Sequence, residues 1–440
     1  MSSYLIHGGT PLQGSVRVGG AKNASYKLMI ASLLAQGKSA LLNFSHISDV
    51  ELVRNVINEL GATAAPYGER AYVVDPTGLD RDHLPSNYGP ASRASTLLAA
   101  PLLAKFGRAD LPLPGGDDIG KRPLDRHIEG LRALGAQVQL TSQRLIITAS
   151  RLTGTTYRFA KNTHTGTETL LMAASIAQGT TILENAAQET EVDELIAFLN
   201  AMGARIERVA PRTIKVQGGL PLHGAIHKVM PDQNQVVSFA CAALASQGDI
   251  IVENARPSDL TAFLDALQAV GGCFELGNYG IRFFWEQPLH SYQLATAPHP
   301  GFKTDWQPLW VLLMTQAHGV STVHETVSQS RFKYVPSLQA MGAQIELFDP
   351  RVDQPDEIYN FNLNDAEANE PRAVRVTGPS RLSGGSFSIT DLRHGATLLI
   401  AGIIASGTST VIDKDHHVDR GYERIDVSLR QLGADITKLD

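Results

Sequence analysis

Residues Leu170–Ala204, LLMAASIAQGTTILENAAQETEVDELIAFLNAMGA, hold the motif that decides how this chain folds. Leu170–Ala177 is apolar on every side, which predicts a helix buried all round. Gly179 reads as its closing residue, in the C′ position. Thr181-Ile182-Leu183-Glu184 reads as a short strand, an amphipathic helix follows, and Met202-Gly203-Ala204 ends the stretch. Both glycine marks recur along the chain. An apolar residue, a glycine and a small residue stand at Gly61, Gly135, Gly203, Gly271, Gly342 and Gly433. A helix-closing glycine precedes each, at Gly37, Gly107, Gly179, Gly248, Gly319 and Gly407. Two marks that keep step six times define a repeat of roughly 70 residues.

The other repeats fill in the unit. Ser48-Asp49-Val50-Glu51 has the form of a capping box, with Val53, Val56, Ile57 and Leu60 on one helical face. After the second glycine come two strands in hairpin style, such as Gln137–Leu140 and Leu145–Thr148. The predicted fold class is α/β, built from six βαβαββ-like modules with the most apolar helix innermost and the sheets outside. Six divide into three and three, with the break near Met230-Pro231-Asp232. The predicted domains are 21–230, carrying a mobile loop at 111–121, and 1–20 plus 231–440. Strand material at Tyr4–Ile6 and Ser15–Val18 puts the N-terminus with the second domain. Two crossing strands should join them, with a ligand cleft between.

Composition narrows the function classes. The chain has 38 basic and 44 acidic residues, a net charge of −6, which gives no support to a nucleic-acid or membrane-surface partner. With 43% hydrophobic and 19% charged residues, wholesale disorder is excluded. Two cysteines, Cys241 and Cys273, cannot build a disulfide framework. With no signal-peptide pattern and no long apolar run, the expectation is a cytoplasmic protein.

Several motifs dissolve on inspection. Gly115–Arg122 matches GxxxxGK, but Arg122 stands where Ser or Thr would hold magnesium, and Asp117 and Asp118 would repel a triphosphate. No dinucleotide glycine pattern follows a strand. His416-His417 has no third ligand at useful spacing, so no metal is expected. No other cofactor is expected either.

Charge placement is more informative. Lys22-Asn23, Arg93, Lys161, Asp305, and Asp391 with Arg393 stand at or just ahead of the buried helices. Helix N-termini attract anions through free N–H groups and the macrodipole, and cations there add formal charge. Arg122 and Arg420 would add to such a polyanion trap.

These residues carry a resemblance. Gly20-Ala21-Lys22-Asn23-Ala24, Arg93-Ala94-Ser95, Pro114-Gly115-Gly116 with Arg122-Pro123, Thr304-Asp305, Thr390-Asp391-Leu392-Arg393 and Asp419-Arg420-Gly421-Tyr422-Glu423-Arg424 stand in register with the six repeats. The chain thereby resembles the UDP-N-acetylglucosamine 1-carboxyvinyltransferase family of enolpyruvyl transferases. The resemblance implies two inside-out α/β barrel domains and two small-molecule substrates, phosphoenolpyruvate and UDP-N-acetylglucosamine. It implies that Lys22, Asn23, Arg122, Arg393 and Arg420 bind phosphoenolpyruvate. Asp305 is implied as the base for the sugar hydroxyl, Asp391 as a helper in proton transfer and Asp117 as the loop acid. Asn23, Arg93, Pro123, Leu124, Asp125, Lys161, Thr163, His164, Thr165, Asp305 and Val327 map onto the UDP-sugar site.

Four departures bear on this reading. Asp117 replaces the family's usual loop cysteine, the thiol alkylated by fosfomycin. Thr163-His164-Thr165 replaces Ser-Val-Gly at the diphosphate. Pro231-Asp232-Gln233-Asn234-Gln235 replaces Pro-Asp-Arg-Ile-Glu, and Gln329 replaces a Glu near Arg331. They leave open another nucleotide or nucleotide sugar as acceptor, or a non-catalytic paralog that binds the UDP-sugar.

Overall fold

A computed structural model describes residues 2–89, 93–115, 120–121, 123–365 and 370–439, with the backbone alone of Arg93. The chain forms two compact units, each with its own apolar core. One comprises Gly20–Gly116 and Arg122–Met230; the other comprises Met1–Gly19, Asp117–Lys121 and Pro231–Asp440.

Sheets outside and helices inside repeat throughout. A strand that follows a buried helix lies between a short parallel strand and an antiparallel pair, as in Thr156–Arg158, Gly179–Glu184, Thr213–Gly218 and Arg205–Ala210. The sheet containing Arg108–Pro112 has three strands, and a parallel bridge from His83 to Asp110 stands in for the fourth. At the chain's end Asp435–Leu439 pairs with Ser2–His7, so the N-terminal strand completes the last repeat. Two short strands are exchanged between repeats. Gln13–Arg17 precedes the helix Lys22–Ala31 yet pairs with Asp249–Glu253. Ile226–Lys228 precedes the helix Gln233–Ala245 yet pairs with Ser39–Leu42. The chain passes from one unit to the other just after each of them.

The buried helices follow the apolar runs. All of Gln233–Ala245 is buried, and it packs with Gln307–Met314 and Leu392–Ile404. In the other unit Ala99–Phe106 packs on His164–Ile176, and Lys22–Ala31 packs on Ser48–Glu59 and Thr190–Ala201. Glycine explains how closely helix ends approach the sheets. A Cβ on Gly218 would lie 2.1 Å from the Ala174 carbonyl oxygen, and one on Gly378 would lie 2.4 Å from that of Ala317.

Three local expectations need correction. The apolar run Leu97–Ala104, which the repeat reads as one buried helix, is split between a 3-10 turn, Arg93–Leu98, and an α-helix from Ala99. Pro101 has no N–H to return to the preceding turn, and only a start near Ala99 places it in the first turn, where none is needed. The capping box at Ser48 does not form: the cap residue is Ile47, without a side-chain bond. Its acids are engaged elsewhere, Asp49 by Lys22 and Glu51 by the Tyr72 hydroxyl and Arg54. Of the closing glycines, Gly107 is a left-handed helix cap. Gly179 and Gly319 instead begin strands. In the second series all six glycines, Gly61, Gly135, Gly203, Gly271, Gly342 and Gly433, have positive φ, the left-handed turn between helix and hairpin. Among the described residues no helix is long and apolar enough to cross a membrane.

Candidate functional site

In the unit containing 20–116, Lys22 is the first residue of its helix and is almost fully buried. Its Nζ lies 2.9 Å from Asp49 Oδ2, also buried. Asn23 follows, half-buried. Thr163-His164-Thr165 forms the start of the helix His164–Ile176. Thr163 Oγ1 accepts from the Gly166 N–H at 3.3 Å and caps it, so this hydroxyl serves the helix. Thr165 Oγ1 lies 3.2 Å from His127 Nε2. Lys161 is half-buried just ahead. Exposed Pro123 and half-buried Leu124 lead into the helix Asp125–Ala133, whose Asp125 Oδ1 accepts from the Arg126 N–H at 2.9 Å. Arg126 donates to the Asn162 carbonyl at 3.4 Å and so ties two helix starts together.

Beneath them lies a charged trio that sequence reading missed. Lys27 Nζ is 2.7 Å from both carboxylate oxygens of Glu168 and 3.0 Å from His164 Nε2. The signal was available: Lys27 stands directly before Leu28-Met29-Ile30-Ala31 and Glu168 just ahead of Leu170–Ala174, and charges buried beside such runs must be paired.

In the other unit the centre is Asp305. Arg331 Nη2 donates to its Oδ1 at 2.5 Å and Arg393 Nη2 to its Oδ2 at 3.3 Å. Arg393 also donates to the Tyr422 hydroxyl at 2.9 Å, which lies 2.8 Å from Ser238 Oγ. Burial works against the Arg393 charge, but Asp305, Tyr422 and Asp232 outweigh it and hold the guanidinium's pKa above its ordinary value. Asp391 caps the helix Leu392–Ile404, its Oδ1 accepting from the N–H groups of Arg393 at 2.8 Å and His394 at 3.0 Å. Arg420 ends the 3-10 turn Val418–Arg420 and is half-buried. Lys121, also of this unit, donates its N–H to Gln329 Oε1 at 3.0 Å.

Glu325 braces the loops around Asp305. Its oxygens accept from the hydroxyls of Thr296 and Thr304, both at 2.9 Å, and from the N–H groups of Val327 at 2.8 Å and Ser328 at 2.9 Å. Burial pushes this carboxyl's pKa up, against the pull of those donors and of Arg331. Glu325→Ala orphans two backbone donors at about 1–3 kcal/mol each, whereas Glu325→Gln keeps an acceptor for them. Thermal melting should show Ala several degrees below Gln; equal midpoints would remove this bracing role.

The sequence suggested a polyanion trap at the helix starts; in the structure Lys22, Arg331 and Arg393 each bind a carboxylate, because buried cations need partners. An anionic ligand must share or displace those carboxylates. Asp117 and Arg122, and the side chain of Arg93, lie outside the described residues. A cavity of about 790 Å³, lined by Gln36, Gly107, Ser150, Arg151 and Gln178 among others, sits where the buried helices of one unit end, away from the charges at their starts.

Comparison with known proteins gives these clusters a context. The sequence profile of the family described as EPSP synthase (3-phosphoshikimate 1-carboxyvinyltransferase) matches residues 6–429. The chain is 38% identical over 439 residues to a UDP-N-acetylglucosamine 1-carboxyvinyltransferase of Dichelobacter nodosus, covering 100% of this chain and 99% of that one. It is 38% identical over 448 residues to the Xylella fastidiosa protein of the same name, covering 100% of both chains. Among solved structures, the enolpyruvyl transferase NikO from Streptomyces tendae superposes with a TM-score of 0.84 at 25% identity, covering 99% of this chain and 98% of that one.

Proposed function

The chain belongs to the EPSP synthase family of enolpyruvyl transferases, and from that membership we propose that it moves the enolpyruvyl group of phosphoenolpyruvate to the 3′-hydroxyl of UDP-N-acetylglucosamine, the first committed step of peptidoglycan synthesis. The observation that carries this reading is the chain-long similarity to relatives bearing that name. The bound anions would replace or share the carboxylate partners of Lys22 and Arg393.

Roles follow from the chemistry. The acceptor oxygen bonds to C2 of phosphoenolpyruvate and its proton passes to Asp305, the half-exposed carboxylate oriented by Arg331 and Arg393. C3 gains a proton as C2 becomes cationic, and Asp117 is the assigned donor. The C2–O bond to phosphate then breaks, phosphate leaves with the bridging oxygen, and C3 loses a proton to restore the double bond. Lys22, Asn23, Arg122, Arg393 and Arg420 hold the phosphate and carboxylate, and Asp391 assists proton transfer. Arg93, Pro123, Leu124, Asp125, Lys161, Thr163, His164, Thr165 and Val327, with Asn23 and Asp305, hold the nucleotide sugar.

Phosphate release from phosphoenolpyruvate tests the reading. It should require UDP-N-acetylglucosamine and not proceed with UMP or UDP. Release with UMP instead would make a nucleotide the acceptor, and binding of the UDP-sugar without release would make the chain a non-catalytic relative. Lys22→Ala should lower kcat/KM for phosphoenolpyruvate by about 2–4 kcal/mol, the scale of one preorganised electrostatic donor. Near-normal turnover after that change would remove Lys22 from the mechanism.

A further inference from the structure

Lys27, Glu168 and His164 join two helices from different repeats, and none of the reaction's steps uses Lys27 or Glu168. Lys27 is 2% and Glu168 0% exposed, each at the head of its helix's apolar run. A buried ion pair adds little net stability over an apolar pair of the same shape, so stability alone does not account for these charges.

Their geometry fixes the state of His164. The ammonium of Lys27 can only donate, so His164 Nε2, at 3.0 Å, accepts, and the ring hydrogen of the neutral imidazole sits on Nδ1. If Nε2 is protonated as well, Glu168 Oε1 at 3.1 Å receives it, and Nδ1 still carries its hydrogen. Burial opposes the charged ring, Glu168 favours it, Lys27 opposes it and Glu189 favours it; on balance the ring's pKa stands above its ordinary value. Nδ1 is therefore a donor in both states. Nε2 is engaged by Lys27 and Glu168, the side chain is 26% exposed, and among the described residues no hydrogen bond holds Nδ1. His164 is the first residue of its helix, where backbone N–H groups also point outward.

We propose that Lys27 and Glu168 are positioning residues that lock the His164 ring so that Nδ1–H donates to an oxygen of the acceptor's diphosphate. The proposal rests on the nucleotide-sugar reading above and deepens it. The diphosphate gains a side-chain donor at this helix start, where Thr163 Oγ1 is occupied as the cap.

Calorimetry with UDP and uridine as probes isolates the diphosphate contribution, because both share the base and ribose. His164→Gln, whose amide replaces Nε2, should weaken UDP about 10- to 100-fold and leave uridine unmoved. His164→Asn, whose amide replaces Nδ1, should lose no more than about a third as much as Gln on the same logarithmic scale. Lys27→Met strands Glu168, so Lys27→Met/Glu168→Leu, which removes both charges, keeps the test independent of folding. It should also weaken UDP selectively and raise KM for the acceptor more than it changes kcat. Nitrogen NMR of histidine-labelled protein, with His164 assigned by its loss in His164→Asn, should show hydrogen on Nδ1. Equal losses in the Asn and Gln variants, equal losses for UDP and uridine, or hydrogen on Nε2 alone would each overturn the proposal. Wild-type protein that holds UDP no tighter than uridine would overturn it too. Failure of phosphate release with UDP-N-acetylglucosamine, while UDP still binds through His164, would instead sink the choice of acceptor and leave this contact standing.

Discussion

Asp305→Asn is expected to lower kcat/KM for enolpyruvyl transfer by about a hundred- to ten-thousand-fold, the range for loss of a positioned general base. The substitution is nearly isosteric. Its carbonyl oxygen can still accept from Arg331, which holds Oδ1 at 2.5 Å. The amide nitrogen falls where Oδ2 meets Arg393 at 3.3 Å, placing donor against donor. Arg393 keeps the Tyr422 hydroxyl as an acceptor, so the stability cost should stay near about 1–3 kcal/mol, the scale of one unsatisfied buried group. The protein should therefore fold, melt somewhat earlier and bind UDP-N-acetylglucosamine within about tenfold of its normal affinity. Single-turnover measurement separates the effects: substrate binds and no phosphate burst follows. An Asp305→Asn protein that keeps more than about a tenth of normal turnover would make Asp305 an anchor for the two guanidiniums and send the search for the base elsewhere.

What the sequence revealed here follows from how local each cause is. The glycines from Gly61 to Gly433 were legible because a left-handed residue between helix and hairpin is a backbone requirement that glycine meets without strain. The buried helices were legible because an apolar residue on every face has one consequence. The capping box failed because Asp49 is claimed by Lys22 and Glu51 by Tyr72, partners 27 and 21 residues away that leave no periodic trace. Asp391 was legible as a helix-start residue, and the structure gives it a cap's two backbone donors. Arg331 and Tyr422 escaped notice as partners because they meet Asp305 and Arg393 only through tertiary packing. Lys27 and Glu168 escaped for a different reason: a charge beside an apolar run is outvoted when the run is read as a whole, although burial makes that charge costly unless it is paired.

Fosfomycin is expected to leave this protein unmodified and active at concentrations that alkylate a loop thiol. The epoxide needs a thiolate, and the sequence has Asp117 where the resembling family carries its reactive cysteine. A carboxylate is a far weaker nucleophile toward an epoxide. Neither remaining thiol substitutes for it. Cys241 is wholly buried in an apolar helix, and burial drives its pKa up. Cys273 is half-buried, and burial together with the Glu286 carboxylate, 3.6 Å from its sulfur, raises its pKa as well. Each unit of increase lowers the thiolate fraction near neutrality about tenfold. Intact-protein mass spectrometry after incubation with phosphoenolpyruvate, UDP-N-acetylglucosamine and fosfomycin should therefore show no adduct. Asp117→Cys should gain one adduct and lose activity with it. The same substitution tests proton donation. A general acid must be protonated to act, so activity falls as pH rises through its pKa, and exchanging a carboxyl for a thiol, whose ordinary value is near ~8.5 against ~3.9 for Asp, should move that fall upward. Stoichiometric inactivation of the unaltered protein would mean that a group other than a loop thiol attacks the epoxide. An Asp117→Cys enzyme that turns over, takes no adduct and keeps its pH profile would remove residue 117 from the phosphoenolpyruvate site and leave the proton for C3 to another donor.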